Sequence, residues 1–246
     1  MKIIPLSEGS FTVDKTKFFV PFDTGRDHLQ HRTTGSLLVE VQPFVVITSK
    51  DIVLIDAGLG FMQNNEMQIY ANLKANGIHP ENISKVLMSH LHKDHAGGIS
   101  KRDHLGNYTS AFTNAIYYVN KKEYEYATDE GFPSFMPEEL SVLENNHKVF
   151  WIEDEQGTID GYITYQTTSA HSKYHQVFWI KENNETIFFG GDDAPQLQQM
   201  KSRFVAKYDY DGKKCMELRH QWWEKGKKEH WTFLFYHDIK HPFLKQ

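Results

Sequence analysis

Cysteine is almost missing: Cys215 stands alone among 246 residues. No internal disulfide can form and no thiolate cluster can gather, so any metal chemistry must rest on imidazole and carboxylate. Cys215 itself is expected as a small buried apolar side chain. Also missing is any apolar stretch near the ~20 residues of a membrane-spanning helix. The leading MKIIPLSEGSFTVDK has only a short apolar run before Pro5, too little for a signal-peptide core. The expectation is a cytoplasmic protein with no membrane partner. A cationic excess is lacking too, because 27 Lys and Arg against 32 Asp and Glu leave −5. That balance lacks the basic footprint a nucleic-acid backbone demands, so nucleic acid is not an expected partner. No internal repeat, low-complexity tract or Pro/Gly/Ser-rich linker offers a place to divide the chain, and residues 1–246 read as one domain.

What the chain does have is histidine, fourteen in all, and apolar runs that end on polar residues. SLLVEVQPFVVIT is a β-branched run broken by Pro43, and DIVLIDAGLG ends on a carboxylate and glycines. SKVLMS runs into His90, YITYQTTSA into His171, TIFFGG into Asp192 and WTFLFY into His237. Helices are expected in MQNNEMQIYANLKANG, with Met67, Tyr70, Leu73 and Lys74 on one side and Gly77 just past the end. Two more are expected in APQLQQMKSRFVAKY and in GKKCMELRHQWWEKGKK, the latter with Met216, Leu218 and Trp222 partly on a stripe. Strand blocks interspersed with helices in both halves predict an α/β protein with two mixed sheets covered by helices.

The stretch MSHLHKDHAGG concentrates the metal-binding side chains. His90 and His92 alternate on an extended backbone and can face one point, while Asp94 and His95 follow a turn and face another. Two pairs, each completed by donors from elsewhere in the fold, is the more natural reading than four consecutive ligands on one ion. The completing donors should lie at the ends of other strands, where His171, Asp192 and His237 stand. Imidazole with carboxylate suits zinc, iron, manganese or cobalt. The remaining histidines, at 28, 31, 79, 104, 147, 220, 230 and 241, read as solvated or hydrogen-bonded singles.

These residues resemble the metal signature of the metallo-β-lactamase superfamily: HxHxDH at His90, His92, Asp94 and His95, then His171 in SAHSKYHQ, Asp192 in FFGGDD and His237 in FYHD. The likeness runs over nearly the whole chain. It implies a four-layer αββα sandwich of two mixed β-sheets flanked by helices, with the site at one edge of the sheets. It implies two divalent transition metal ions, zinc favoured: His90, His92 and His171 on the first, Asp94, His95 and His237 on the second, and Asp192 bridging. Asp56 in VLIDAG and His175 would stand behind the ligands and orient them. Gly97 and Gly98 would supply the turn that lets His95 face the second ion. Length, His175–Gln176 and His237–Asp238 look most like the lactonase-like branch that includes acyl-homoserine lactonases. That branch has a tyrosine three residues after the bridging aspartate, where this chain has Pro195. Tyr208 or Tyr210 would have to reach the substrate from another loop. Ala170 stands where many members have glycine, and Asp193 competes with Asp192 for the bridging role; Asp192 is preferred because it directly follows the strand and glycines.

The implied activity is that of a metal-dependent hydrolase in which a metal-bridging hydroxide attacks the ester, lactone or thioester carbonyl of a small molecule. Asp94 would pass a proton to the leaving alkoxide. No GxSxG occurs to supply a serine nucleophile. Competing readings are a redox enzyme on the same fold, a phosphodiester hydrolase and an inactive binding module. Di-iron members resemble HxExDH, and His92 stands in place of that glutamate; single-iron sulfur dioxygenases keep the histidine. The net charge argues against a nuclease, and the complete ligand set against a dead module. The substrate pocket is expected to be apolar, with Phe18, Phe19, Phe22, Phe61, Met62, Phe132 and Phe135 as candidate lining.

Overall fold

Val45 and Val46 are neighbours in sequence and belong to different cores, as a strand requires when both of its faces are covered. The same division separates Leu54 from Val53 and Ile55, and Phe188 from Phe189. The computed structural model describes residues 1–246. Its two large sheets have six strands each. The first runs Lys2–Pro5, Phe44–Ile47, Ile52–Ile55, Lys85–Leu87, Ile116–Asn120 and Val149–Ile152 in spatial order. The second runs Gln156–Ile159, Ile163–Thr167, Gln176–Glu182, Glu185–Phe189, Thr232–Leu234 and Phe243–Lys245. Both are mixed: Ile52–Ile55 pairs in parallel with Lys85–Leu87, and Glu185–Phe189 in parallel with Thr232–Leu234, beside antiparallel neighbours.

Three apolar cores separate four layers. Val46, Val53, Leu87, Phe178, Ile187 and Phe189 fill the space between the sheets. Outside the first sheet, Val45, Leu54 and Val86 meet Ile69 and Leu73 of the helix Gln68–Ala75 and Ala127 of Lys121–Glu130. Outside the second, Val177, Phe188 and Phe233 meet Leu197, Met200 and Trp222. The expected αββα sandwich is the observed architecture. No helix is long and apolar enough to cross a membrane.

Two expected helices are shorter than the sequence suggests. Asn64 and Asn65 both take left-handed φ, 51° and 62°, and turn Met62–Gln63 back onto Glu66–Met67 as a small hairpin, so the first helix starts only at Gln68. It does stop just before Gly77, as expected: its last residue is Ala75, Asn76 caps it and Gly77 follows with φ +72°. In the second, only Leu197–Met200 is helical. Beyond it the chain is drawn to the second sheet's loops, because Tyr210 N donates to His171 O and Asp211 N to Ala170 O. Buried Arg219 also takes the Phe204 carbonyl. The third helix, Gly212–Glu229, buries Cys215, Arg219, Trp222 and Gly226 rather than the anticipated Met216 and Leu218. Its stripe carries a buried arginine and a glycine, which an apolar count passes over.

Candidate metal centre

Every residue of the centre hangs from the C-terminal end of a strand. Lys85–Leu87 delivers His90 and His92, and the short helix Lys93–Ala96 then carries Asp94 and His95. Ile163–Thr167 leads to His171, Glu185–Phe189 to Asp192 and Thr232–Leu234 to His237. The loops therefore meet at one edge of the two sheets.

The side chains form two groups. His90 Nε2 lies 2.9 Å from His92 Nδ1, and His171 Nε2 lies 3.2 Å from the same atom. In the other group Asp94 Oδ2 is 3.6 Å from His95 Nε2 and 3.5 Å from His237 Nε2. Asp192 spans both, its Oδ2 3.3 Å from His171 Nε2 and its Oδ1 3.2 and 3.0 Å from His95 and His237 Nε2. Within each group the donor atoms lie within 4.8 Å of one another. All seven sequence-predicted ligands are brought together.

The backing groups say which nitrogens point inward. Asp56 Oδ2 faces His95 Nδ1 at 2.7 Å and accepts from Ser89 Oγ, which in turn lies 3.0 Å from His90 Nδ1. Asp56 thus holds the outer nitrogens of two histidines in place, directly for His95 and through a hydroxyl for His90. It does so from a left-handed backbone, φ 52°. His175 does not reach the centre: its Nε2 accepts from Asp192 N at 3.2 Å and its Nδ1 faces Asp193 Oδ2 at 3.1 Å. It holds the backbone of the spanning carboxylate. Asp193 is likewise a support, its Oδ1 accepting from His171 N at 2.8 Å.

The charges fit a cation between these groups. Burial pushes His90 and His92 well below the usual imidazole range, and neighbouring imidazoles push them further, so both stand as neutral donors. Burial acts the same way on His95, but Asp192 and Asp94 outweigh it and hold it well above that range. With its Nδ1 held by Asp56, His95 points Nε2 at Asp192 Oδ1, 3.2 Å away. Both atoms are buried and neither has a hydrogen-bond partner. The two carboxylates thus draw positive charge to His95 Nε2, and a cation bound between it and Asp192 would take the place of the proton they attract.

Four contributors have no signature in the sequence. Asp209 Oδ1 meets His171 Nδ1 at 2.8 Å. Tyr236 stacks on His95 with centroids 4.0 Å apart, and its hydroxyl donates to Asp94 O. Buried Glu123 accepts from Leu91 N, Ser172 Oγ and Tyr174 N, tying the His92 loop to the His171 loop. Glu8 accepts from Leu59 N at 2.6 Å and Phe61 N at 3.2 Å.

Gly97 and Gly98 are not the turn that aims His95. Gly97 is helical at φ −57°. Their role is close packing: a Cβ at Gly98 would stand 2.0 Å from Ala57 O, and one at Gly97 2.3 Å from Leu59 O. The loop behind Asp56 thereby rests directly on the helix that carries Asp94 and His95. Ala170 is fully buried and leaves His171 in place, the left-handed turn falling on Ser169, φ 51°, instead.

A cavity of about 870 Å³ opens over the centre. Phe19, Phe132 and Phe135 line it, while Phe18 reaches only its rim against Phe132, at 6.2 Å between rings. Phe61 packs on Phe11 and Met62 sits in the hairpin, so neither lines the wall, and nor does Phe22. The wall is less apolar than expected, since five lysines face the cavity. Tyr208 and Tyr210 both line it, and the Tyr208 ring stands 6.2 Å from that of His171.

A sandwich of two mixed sheets with histidines and aspartates gathered at its strand ends defines a class of metalloprotein. The family model of the metallo-beta-lactamase superfamily matches residues 39–214, and the chain belongs to that superfamily. Among individual proteins it is similar to the N-acyl homoserine lactonase AttM of Azorhizobium caulinodans, 42% identical over 57 residues, 23% of this chain and 18% of that one. The match thus spans under a fifth of that relative's length. A crystal structure of a probable metal-dependent hydrolase from Staphylococcus aureus superposes with a TM-score of 0.79 over 99% of this chain and 91% of that one, at 21% identity. AidC, a dizinc quorum-quenching lactonase in complex with N-hexanoyl-L-homoserine product, gives 0.72 over 98% and 88%, at 16% identity. At such identities the likeness establishes the fold.

Proposed function

We propose that the whole chain works as one domain, a dinuclear metal hydrolase that cleaves an ester, lactone or thioester of a small molecule. The observation that carries this is Asp192, whose two oxygens reach the two donor groups at 3.0 to 3.3 Å. His90, His92 and His171 would hold one ion, and Asp94, His95 and His237 the other, with Asp192 shared. Two divalent ions, zinc first among those the donors suit, would supply an acidified water and polarise the carbonyl.

The chain's own residues do the rest. Asp94 keeps one oxygen on the second group and offers the other to a proton bound for the leaving alkoxide. Tyr208, its hydroxyl pushed up to about 12 by burial and then by Asp192 and Asp209, remains a protonated donor at neutral pH. It takes the part of the tyrosine absent at Pro195, donating to the developing oxyanion, with Tyr210 beside it on the wall. The hydrogen bonds behind the ligands fix the geometry before substrate arrives. The net charge of −5 and the single buried thiol support a cytoplasmic setting without a nucleic-acid partner. No observation favours the redox reading over hydrolysis.

The test is elemental analysis of the purified protein joined to a panel of lactones, esters, thioesters and phosphodiesters. Close to two transition metals per chain with turnover of a carbonyl substrate is expected. One ion at saturation, turnover confined to phosphodiesters, or oxygen uptake with iron and no hydrolysis would overturn it.

A further inference from the structure

We propose that the substrate carries a second, anionic group, a carboxylate or a phosphate, remote from the bond that is cut, and that Lys17 and Lys93 receive it at the mouth of the cavity. The inference rests on the hydrolase reading and gives its substrate a charge.

The chain is acidic overall, yet Lys15, Lys17, Lys93, Lys173 and Lys207 all face this one cavity. Away from the metal donors the wall has three carboxylates: Asp209 is committed to His171, Asp14 is engaged by the Thr16 amide and hydroxyl, and Glu130 stands alone. None of the five lysines forms an ion pair, whereas Lys74, Lys85, Lys121 and Lys227 elsewhere each find a carboxylate. Unpaired ammonium groups gathered on a concave wall repel one another and focus a positive potential into it. An acidic protein has no general need for such a concentration. It suits an anion.

Lys93 and Lys17 stand together close to the His92 loop. Lys93 lies between the ligands His92 and Asp94 in sequence, and its Nζ sits 5.4 Å from the Phe18 ring and 5.5 Å from that of Phe132. That pair of cation–π contacts keeps the ammonium at the mouth rather than out in solvent. Lys17 closes a tight turn, its N donating to Asp14 O at 3.0 Å with a left-handed φ of 60°. Its charge lies close enough to bear on both His92 and Lys93. Two cations thus stand together on the approach to the donor cluster with no carboxylate in direct contact, the negative charges that bear on Lys93 being Asp94, itself a proposed ligand, and Glu139. Lys173, over the Tyr126 and Tyr174 rings at 5.2 and 5.6 Å, and the exposed Lys15 and Lys207 extend the field outward. A neutral acyl tail would have to desolvate these ammonium groups, whereas an anionic tail neutralises them.

The experiment reads binding and turnover separately. Succinate, glutarate and adipate are titrated into the metal-loaded protein by calorimetry beside propionate, butyrate and pentanoate, each acid having one carboxylate for the centre and only the diacids one for the lysines. 3-Phosphonopropionate beside succinate distinguishes a phosphate preference from a carboxylate one. At least one diacid is expected to bind about tenfold tighter than its monoacid partner, with the difference shrinking as salt rises. Lys17→Asn, which suits the left-handed turn, combined with Lys93→Gln is expected to bring the ratio close to one. In parallel, 4-nitrophenyl hemiglutarate is compared with 4-nitrophenyl butyrate, the charged ester being preferred in kcat/KM by a similar factor. Equal binding of monoacids and diacids at every length, or a preference that survives the double variant, would overturn the proposal. Ester turnover without a charge preference would leave the hydrolase reading and remove this one. Diacid preference without turnover of either ester would do the reverse.

Discussion

Asp209 Oδ1 lies 2.8 Å from His171 Nδ1, matching on one side of the centre what Asp56 does for His95 on the other at 2.7 Å. Each donor group therefore contains an imidazole whose outer nitrogen is held by a buried carboxylate. Asp209→Ala is expected to weaken one of two bound ions by 10- to 100-fold and leave the other in place. Competition with a chromogenic chelator gives both constants, and two unchanged constants would refute the role.

His237→Ala should lower the metal content from two ions per chain to one, with the retained ion on His90, His92 and His171. Elemental analysis after dialysis is the measurement. Two ions retained at full occupancy would mean that His237 is not a ligand.

Asp94→Asn should fold and lose at least ~100-fold in kcat on any ester or lactone the parent hydrolyses, the scale of a removed proton donor. Circular dichroism controls for folding. Turnover equal to the parent's would show that Asp94 moves no proton.

Gly98→Ala puts a Cβ where the Ala57 carbonyl already stands, 2.0 Å away. The new methyl meets a backbone carbonyl and is itself fixed to the backbone, so relief requires the helix of Asp94 and His95 to shift, at a cost of roughly 3 kcal/mol or more. Urea denaturation of the metal-free protein should show it as a lower midpoint.

Glu8 gives a pH signature. Burial, with a smaller push from Asp94 and against three backbone N–H groups, raises its carboxyl to about 8 from an ordinary 4.5. Between those values the folded chain holds a proton that the unfolded chain has released. The stability Glu8 contributes is thus complete below 4.5 and is lost as pH rises through 8. Urea midpoints of the metal-free parent should fall from pH 5 to pH 8, and less steeply in Glu8→Gln. Parallel curves would show that Glu8 is ionised throughout.

The gathering of the candidate donors was legible because coordination favours particular residue types at short spacings. HLHKDH needs no tertiary knowledge to read, and the apolar run before each later ligand marked a strand end. The supports were not legible. Asp209 is 38 residues from His171 and Glu123 49 from Ser172, and no local pattern marks a carboxylate that will fold behind a histidine. The helix expected over 194–208 failed for a related reason. Its composition suits a helix, but Arg219 takes the Phe204 carbonyl, and just past the segment the amides of Tyr210 and Asp211 are tied to the His171 loop, a tertiary choice overriding propensity. Asn64 and Asn65 could have been read as a hairpin turn, since asparagine tolerates left-handed φ better than most residues.

The donors come from both sheets: His90, His92, Asp94 and His95 from the first, His171, Asp192 and His237 from the second. Each group takes members from either side, so neither half of the chain supplies a complete donor group alone. Ions bound across that seam would act as rivets, and their binding free energy would add to the cohesion of the two halves. Starved of metal, cells would then lose this protein to proteolysis before they accumulated an idle form of it. Its abundance would track metal supply more closely than the specific activity of the molecules that survive.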